Sequence, residues 1–194
     1  MNLTEMRTRV RQDLQDTDAA NYRWSNDEVD GAIQRVVREF SLAYPQMEST
    51  DIATTDGSNE LDISSLSLIG LIAIASVEFP IGEDPACYQR VELWKTTIYM
   101  QDKGNGDDAR VRWYKEHTLG ESSTIPTQFE EIIVLGATGY LAASASAYTA
   151  DRATIGGRGA TANFLKWGQE RLELYQKKLK ALQGRIITRE FYTE

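Results

Sequence analysis

The sequence predicts an α+β protein, mostly an α-helical bundle of about four helices, with an inserted β module and an extended C-terminal tail. Three observations predict it. Apolar residues recur at three- and four-residue spacing near both ends of the 194-residue chain. Between about residues 49 and 118 the pattern shifts to β-branched runs, alternation and glycine-bearing turns. The last ten residues, RIITREFYTE, are rich in isoleucine, phenylalanine and tyrosine. The expected divisions are a helical pair over 1–48, the β module over 49–118, a second helical pair completing the bundle over 119–184, and a docking tail over 185–194.

Thr4 is the expected cap of a first helix over about 4–15, because Met6, Val10 and Leu14 recur four apart and share a face. Arg7, Arg9 and Arg11 mark its other face, either a solvated surface or a match for an acidic partner. DTDAAN reads as a turn. Ser25 and Glu28 then form a capping box, with Trp24 placed to pack on Val29 as a hydrophobic staple. Val29, Ile33, Val36, Val37 and Phe40 define one buried stripe, and Pro45 ends the helix.

In the middle region Asp56-Gly57 signals a hairpin, LIGLIAIASVEF is too continuously apolar for a surface strand, and YQRVELWKTTIYM alternates in part. KGNGDD is a turn tip, and ARVRWYKEH returns with Val111 and Trp113 on one face. Four to six strands are expected. Helix resumes after Pro126, where Thr127 and Glu130 have capping-box spacing. The small residues from Gly136 to Ala147 predict a close helix–helix approach, within the chain or between subunits. A fourth helix over about 160–182 carries Leu165, Leu172, Tyr175, Leu179 and Leu182, with Gly184 as its stop.

Composition narrows the function classes. With 41% hydrophobic and 26% charged residues the chain has the make-up of a folded domain. A net charge of −8 argues against bulk affinity for nucleic acid, which needs clustered cations to displace counterions. Cys87 and His117 are each the single residue of their type, too few for a disulfide or a conventional Cys/His zinc site. Cys87 reads as a half-buried strand residue and His117 as a polar strand-end residue. No run approaches the roughly 18–20 apolar residues of a membrane span, and the N-terminus lacks an uninterrupted apolar stretch. A soluble protein made and kept in a cytoplasm, without membrane contact, is the expectation.

The Gly156–Gly159 loop, in DRATIGGRGATAN, invites a phosphate-site reading, but it lacks both the βαβ frame of a dinucleotide fingerprint and the lysine of a P-loop. No enzyme, cofactor, metal or catalytic residue is assigned. In the tail, Ile186, Ile187, Phe191 and Tyr192 with Arg185 and Arg189 either fold back or add a strand to a neighbour.

Taken together, DTDAANYRWSNDEVDGAIQRVVREFSLAYP, the β region, the alanine-rich helix, DRATIGGRGATANFLKWGQERLELYQKKL and the aromatic tail resemble the head-tail connector (adaptor, or head-completion) proteins of tailed bacteriophages. The resemblance is strongest over Trp24 to Phe40 and from Asp151 onward. It implies a virion protein of the neck that forms a homo-oligomeric ring, typically twelvefold, beneath the portal protein. Such a ring passes double-stranded DNA without sequence-specific binding and hands it to the next neck or tail protein, a stopper. The resemblance further implies that the tail residues Arg185, Ile186, Ile187, Arg189, Phe191 and Tyr192 grip the portal. Arg7, Arg9 and Arg11 against Asp27 and Asp30 are the candidate subunit-interface charges, since a head-to-tail ring needs two different faces per subunit. An acidic wall would let the duplex slide. The rival readings are a stopper or tail terminator, an enzyme using the Gly156–Gly159 loop, and a DNA-binding regulator using the first two helices.

Overall fold

A computed structural model describes residues 1–64, 66, 69–149 and 157–183, with the backbone alone for 145–149 and 157–162. The chain divides into two compact units. One combines Met1–Tyr44 with the segment from His117 onward, and the other is Pro45–Glu116.

The first unit is helical. α1 spans Leu3–Asp13 and is capped by Asn2, whose side-chain oxygen accepts the Glu5 amide at 2.9 Å while Glu5 accepts the Asn2 amide at 2.8 Å. Thr4, the expected cap, lies inside the helix, because Asn2, two residues earlier, and Glu5 already satisfy the orphan amides. At the other end Gln15 takes a positive φ of 55°, while the Asp16 and Gln15 amides donate back to Arg11 and Gln12. This is a Schellman closure made without glycine. α2 spans Asn26–Ala43 behind the expected Ser25–Glu28 capping box. Val29, Ile33, Val36, Val37 and Phe40 are all buried, as are Met6, Val10 and Trp24.

The turn after Pro126 departs from expectation. Thr127–Phe129 is a short 3-10 turn without a side-chain cap, and Glu130 opens α3, Glu130–Thr149. The Glu130 carboxylate is buried and takes the Met1 amino group, so it is not free to cap. α4 spans Gly157–Gln183, beginning a few residues before the expected start. Between α3 and α4 the small residues do what their size permits. A Cβ on Gly139 would stand 2.9 Å from Leu172, and one on Gly168 would stand 2.8 Å from the Ala142 Cβ and 3.2 Å from the Ala143 nitrogen. The close approach is therefore an antiparallel pair within the chain. Tyr175 and Leu182 of α4 join Ile133, Ala137 and Leu141 of α3 in the core that covers α2.

The second unit consists of β1 (Gln46–Ala53), β2 (Glu60–Asp62), β3 (Leu71–Glu78), β4 (Tyr88–Gln89), β5 (Val91–Trp94), β6 (Thr97–Met100) and β7 (Asp108–Lys115). They form a four-stranded sheet in the order β1-β7-β3-β4 and a three-stranded sheet in the order β2-β6-β5, all pairs antiparallel. On β7, Ala109, Val111 and Trp113 face a core shared with Leu61, Ile63, Val77 and Ile98. The alternate residues bear charge: Arg110 donates to both Asp51 oxygens at 2.7 and 2.8 Å, and Arg112 donates to Glu78 at 2.7 Å.

These findings correct the predicted fold class. The protein is not mostly a helical bundle carrying an inserted module; it is α+β, with seven strands among the described residues, in two antiparallel sheets that enclose a core of their own. Short strands hid this, since β2, β4, β5 and β6 have two to four residues each, fewer than a period-2 pattern needs to stand out. Asp56-Gly57 does form a turn, with Gly57 at φ 74°, but the strands on either side belong to different sheets. It is a crossover turn and not a hairpin.

Candidate functional site

Charges on α1 and α2 are drawn into contacts within the chain. Arg7 donates two bonds to Asp30, at 2.7 and 2.6 Å. That hydrogen bonding, and the negative charges of Asp30 and Asp27, hold the Arg7 guanidinium above its ordinary pKa. Arg9 reaches Glu131 at 3.4 Å across two exposed side chains, a contact of little energetic weight. Asp27 is exposed in the first turn of α2, where a carboxylate complements the helix dipole.

Arg11 differs from its neighbours. It is only 4% exposed and organises the α1–α2 connection. Its guanidinium pairs with buried Asp16, donates to the Trp24 carbonyl at 2.8 Å and the Asn26 side chain at 3.0 Å, and lies 3.6 Å from the centre of the Tyr22 ring. Asp16 also accepts the Arg23 amide at 2.8 Å. The turn DTDAAN is thus folded around one buried ion pair. The arginine spacing on α1 suggested one solvated face, and the structure splits it into one buried and two surface residues. The Asp three residues beyond the α1 helix was the overlooked signal for Arg11.

Beside this turn lies an open groove of about 420 Å³, lined by Asp16, Asp18, Asn21, Arg23, Trp24 and Phe164 among others. The Arg23 guanidinium lies 5.4 and 5.6 Å from the Trp24 and Phe164 rings, which stack on each other. Asp18 is occupied by the Ala20 amide and the Asn21 side chain. Among the described residues no group of three His, Cys, Asp or Glu side chains is placed to hold a metal ion. No helix among them is long and apolar enough to cross a membrane.

Of the glycine loop, Gly157 and Gly159 lie in the first turn of α4, while Asp151, Arg152 and Gly156 lie outside the described residues. The tail residues Arg185, Ile186, Ile187, Arg189, Phe191 and Tyr192 also lie outside them, as does Gly184. Cys87 is half-buried just before β4, and its carbonyl accepts the Phe79 amide.

His117, expected as a polar strand-end residue, lies two residues beyond β7 and is buried. Its backbone amide donates to Ser41 Oγ at 2.9 Å, Nε2 lies 2.9 Å from the Tyr44 carbonyl, and Nδ1 lies 3.1 Å from the Thr124 hydroxyl. A neutral ring meets both hydrogen bonds, with Nε2–H donating to Tyr44 and the Thr124 hydroxyl donating to Nδ1, while the Thr124 carbonyl, 3.0 Å from Nδ1, favours the protonated ring. Burial pushes the imidazole below the usual histidine range, against smaller opposing pulls from the Tyr44 and Thr124 carbonyls. A histidine harder to protonate in the folded than in the unfolded chain supports the fold above its unfolded pKa of about 6.5, and that support is lost as pH falls below it. Since His117 is the single histidine, the melting temperature should drop between about pH 6.5 and 5, before the carboxylates titrate. His117→Gln should flatten that interval. A wild-type melting temperature constant across it would rule the coupling out.

Net charge is unevenly shared. Residues 45–116 hold thirteen Asp and Glu against six Lys and Arg, so the β unit carries −7 of the chain's −8. Three of its six cations are committed to Asp51, Glu78 and Glu48. Ten of its thirteen carboxylates stand outside those three pairs.

At the level of architecture, fold and surface define a two-unit α+β protein: a helical unit closed around α2, and an acidic unit of two antiparallel sheets. Comparison with known families finds no family model that matches the chain, and a search of curated proteins finds no match.

Proposed function

We propose that the protein is a structural virion protein, a head-tail connector (adaptor) subunit that forms a ring beneath the portal and contributes to the DNA exit channel. The observation that carries the reading is the segment where the resemblance is strongest. Trp24 to Phe40 holds a complete capping box and most of α2, at the centre of a helical unit whose segments flank the β unit in sequence. An acidic chain suits a channel along which duplex DNA slides. The ring has twelve copies on this reading, binds the portal through its tail, and meets a stopper on its other side.

Truncation after Gly184 tests it. The shortened chain should keep its circular dichroism spectrum and melting temperature while losing co-sedimentation with portal-bearing capsids. Four large apolar tail side chains each contribute about 1.5–3 kcal/mol when fully buried, before ordering costs. Unchanged portal binding would sink the docking assignment, and so would loss of the fold. A stopper or tail-terminator subunit is the second reading, favoured by the two antiparallel sheets. Such a subunit would sediment with capsids only when an adaptor ring is already in place.

A further inference from the structure

We infer that two exposed faces of this chain dock on each other between copies: the outer face of the β2-β6-β5 sheet on one copy, and the lysine-bearing end of α4 on the next. The pairing is argued from the two surfaces themselves; only its closure into a ring rests on the connector reading.

The first surface is set by strand register. Tyr99 on β6 stands opposite Glu60 on β2 and Glu92 on β5, and in the adjacent row Thr97 stands opposite Asp62 and Trp94. Side chains alternate along a strand. Leu61, Ile98 and Met100 therefore fill the core, and the others face away from it. Glu60, Asp62 and Glu92 are exposed there, around Tyr99 and a Trp94 that is 68% exposed. Lys95, at the turn beyond Trp94, holds a positive φ of 55°, a conformation that a side chain other than glycine or asparagine rarely adopts. Carboxylates around an open indole and a phenol form a surface for a cation carried on an apolar stem.

The second surface has that chemistry. Leu174, Lys177, Lys178 and Ala181 follow one another at i, i+3, i+4 and i+7 on α4, so they share a face, and all four are exposed. Lys180 stands next to them. No carboxylate occurs from Leu174 to Gln183, and no ion pair in the described structure engages these three lysines, whereas Lys166 higher on the same helix pairs with Glu170. Leu174 is 47% exposed.

Each surface supplies what the other lacks: Leu174 and the lysine stems for Tyr99 and Trp94, and three ammonium groups for three carboxylates. Both are exposed among the described residues, and the pairing is assigned between two copies. A contact between unlike faces propagates head to tail and closes into a ring when the rotation permits. The patches are small beside the roughly 1,200–2,000 Å² of a stable interface. The isolated pairing is accordingly weak and sensitive to salt, which suits copies that assemble on a template.

Sedimentation velocity of the full chain at submillimolar concentration tests the pairing. Wild type should associate reversibly at about 0.1 M salt and dissociate at about 1 M, where the screening length falls from about 10 to 3 Å. Glu60→Lys with Glu92→Lys should abolish association, and so should Lys177→Glu with Lys178→Glu. An equimolar mixture of the two variants should restore it, because each then offers the other a complementary face. Trp94→Ala with Leu174→Ala, which leaves every charge in place, should weaken association about tenfold. Either charge variant associating like wild type, a mixture that stays monomeric, or a wild type that never associates would overturn the pairing. Capsid co-sedimentation of the same wild-type sample reads the connector function separately, so the two can fail independently.

Discussion

Replacing Arg11 by methionine should destabilise the helical unit by about 3–5 kcal/mol, the range found when one partner of a buried ion pair is removed. The effect is large because the loss falls on several groups at once. Asp16 would keep a buried carboxylate with only the Arg23 amide and a longer contact to the Trp24 amide, and the Trp24 carbonyl and Asn26 side chain would each lose a donor. Methionine retains the apolar stem, so a large loss would report the charge and not a cavity. The measurement is denaturant unfolding followed by far-ultraviolet circular dichroism, which α1 to α4 dominate. Arg11→Lys should recover only part of the loss, since one ammonium cannot serve Asp16, Trp24 and Asn26 with the guanidinium's geometry. A methionine variant within about 1 kcal/mol of wild type would show that water replaces the arginine and that the node is not structural.

The second large effect is expected at the α3–α4 contact. Gly168→Val should cost about 1–3 kcal/mol through overpacking, because the new side chain meets the Ala142 Cβ and the backbone of Ala143, and backbone cannot turn aside as a flexible side chain can. Helix propensity opposes this only in part, as removing an interior glycine returns at most about 1 kcal/mol. Gly168→Ala with Ala142→Gly separates the two contributions. Losing the Ala142 methyl costs propensity yet removes the atom that a methyl group added at Gly168 would strike, so the pair should be more stable than the sum of its single effects predicts. Strict additivity would mean that the helices part freely and that the glycine spacing has no packing role.

Much of the helical unit was legible in the sequence because its signals are local. Ser25 with Glu28 fixed the start of α2, Pro45 its end, and the stripe from Val29 to Phe40 its buried face. The cap of α1 was misread by two residues because Asn2-x-x-Glu5 and Thr4 both offer cap chemistry, and only position along the folded chain decides between them. In the β unit the strand pairing was not legible. β1 lies against β7, its partners more than fifty residues away, and no local periodicity encodes that register. The candidate interface charges show the same limit. Spacing placed Arg7, Arg9 and Arg11 on one helix, whereas the fate of each depends on which carboxylate the fold brings to it: Asp30, Glu131 or Asp16. The acidic and lysine-bearing faces went unread as a pair because the first arises only when three short strands align.

The helical unit draws on segments from both sides of the β unit, and this sets an order of events during synthesis. α2 emerges from the ribosome with Val29, Ile33, Val36 and Phe40 ready to be covered, yet α3 and α4, which cover them, lie beyond the whole of Pro45–Glu116. At about 5–20 residues per second, α3 follows α2 after a delay on the order of 4–17 seconds. Throughout that interval the nascent chain displays a bare apolar stripe, the kind of surface that recruits chaperones or sticks to other nascent chains. The β unit, contiguous in sequence, can fold within the delay, and in doing so it draws the ends of a 72-residue excursion together, reducing the loop entropy that α3 and α4 must overcome to reach α2. A sheet that folds late would thus lower the yield of a helical unit whose own residues are unchanged.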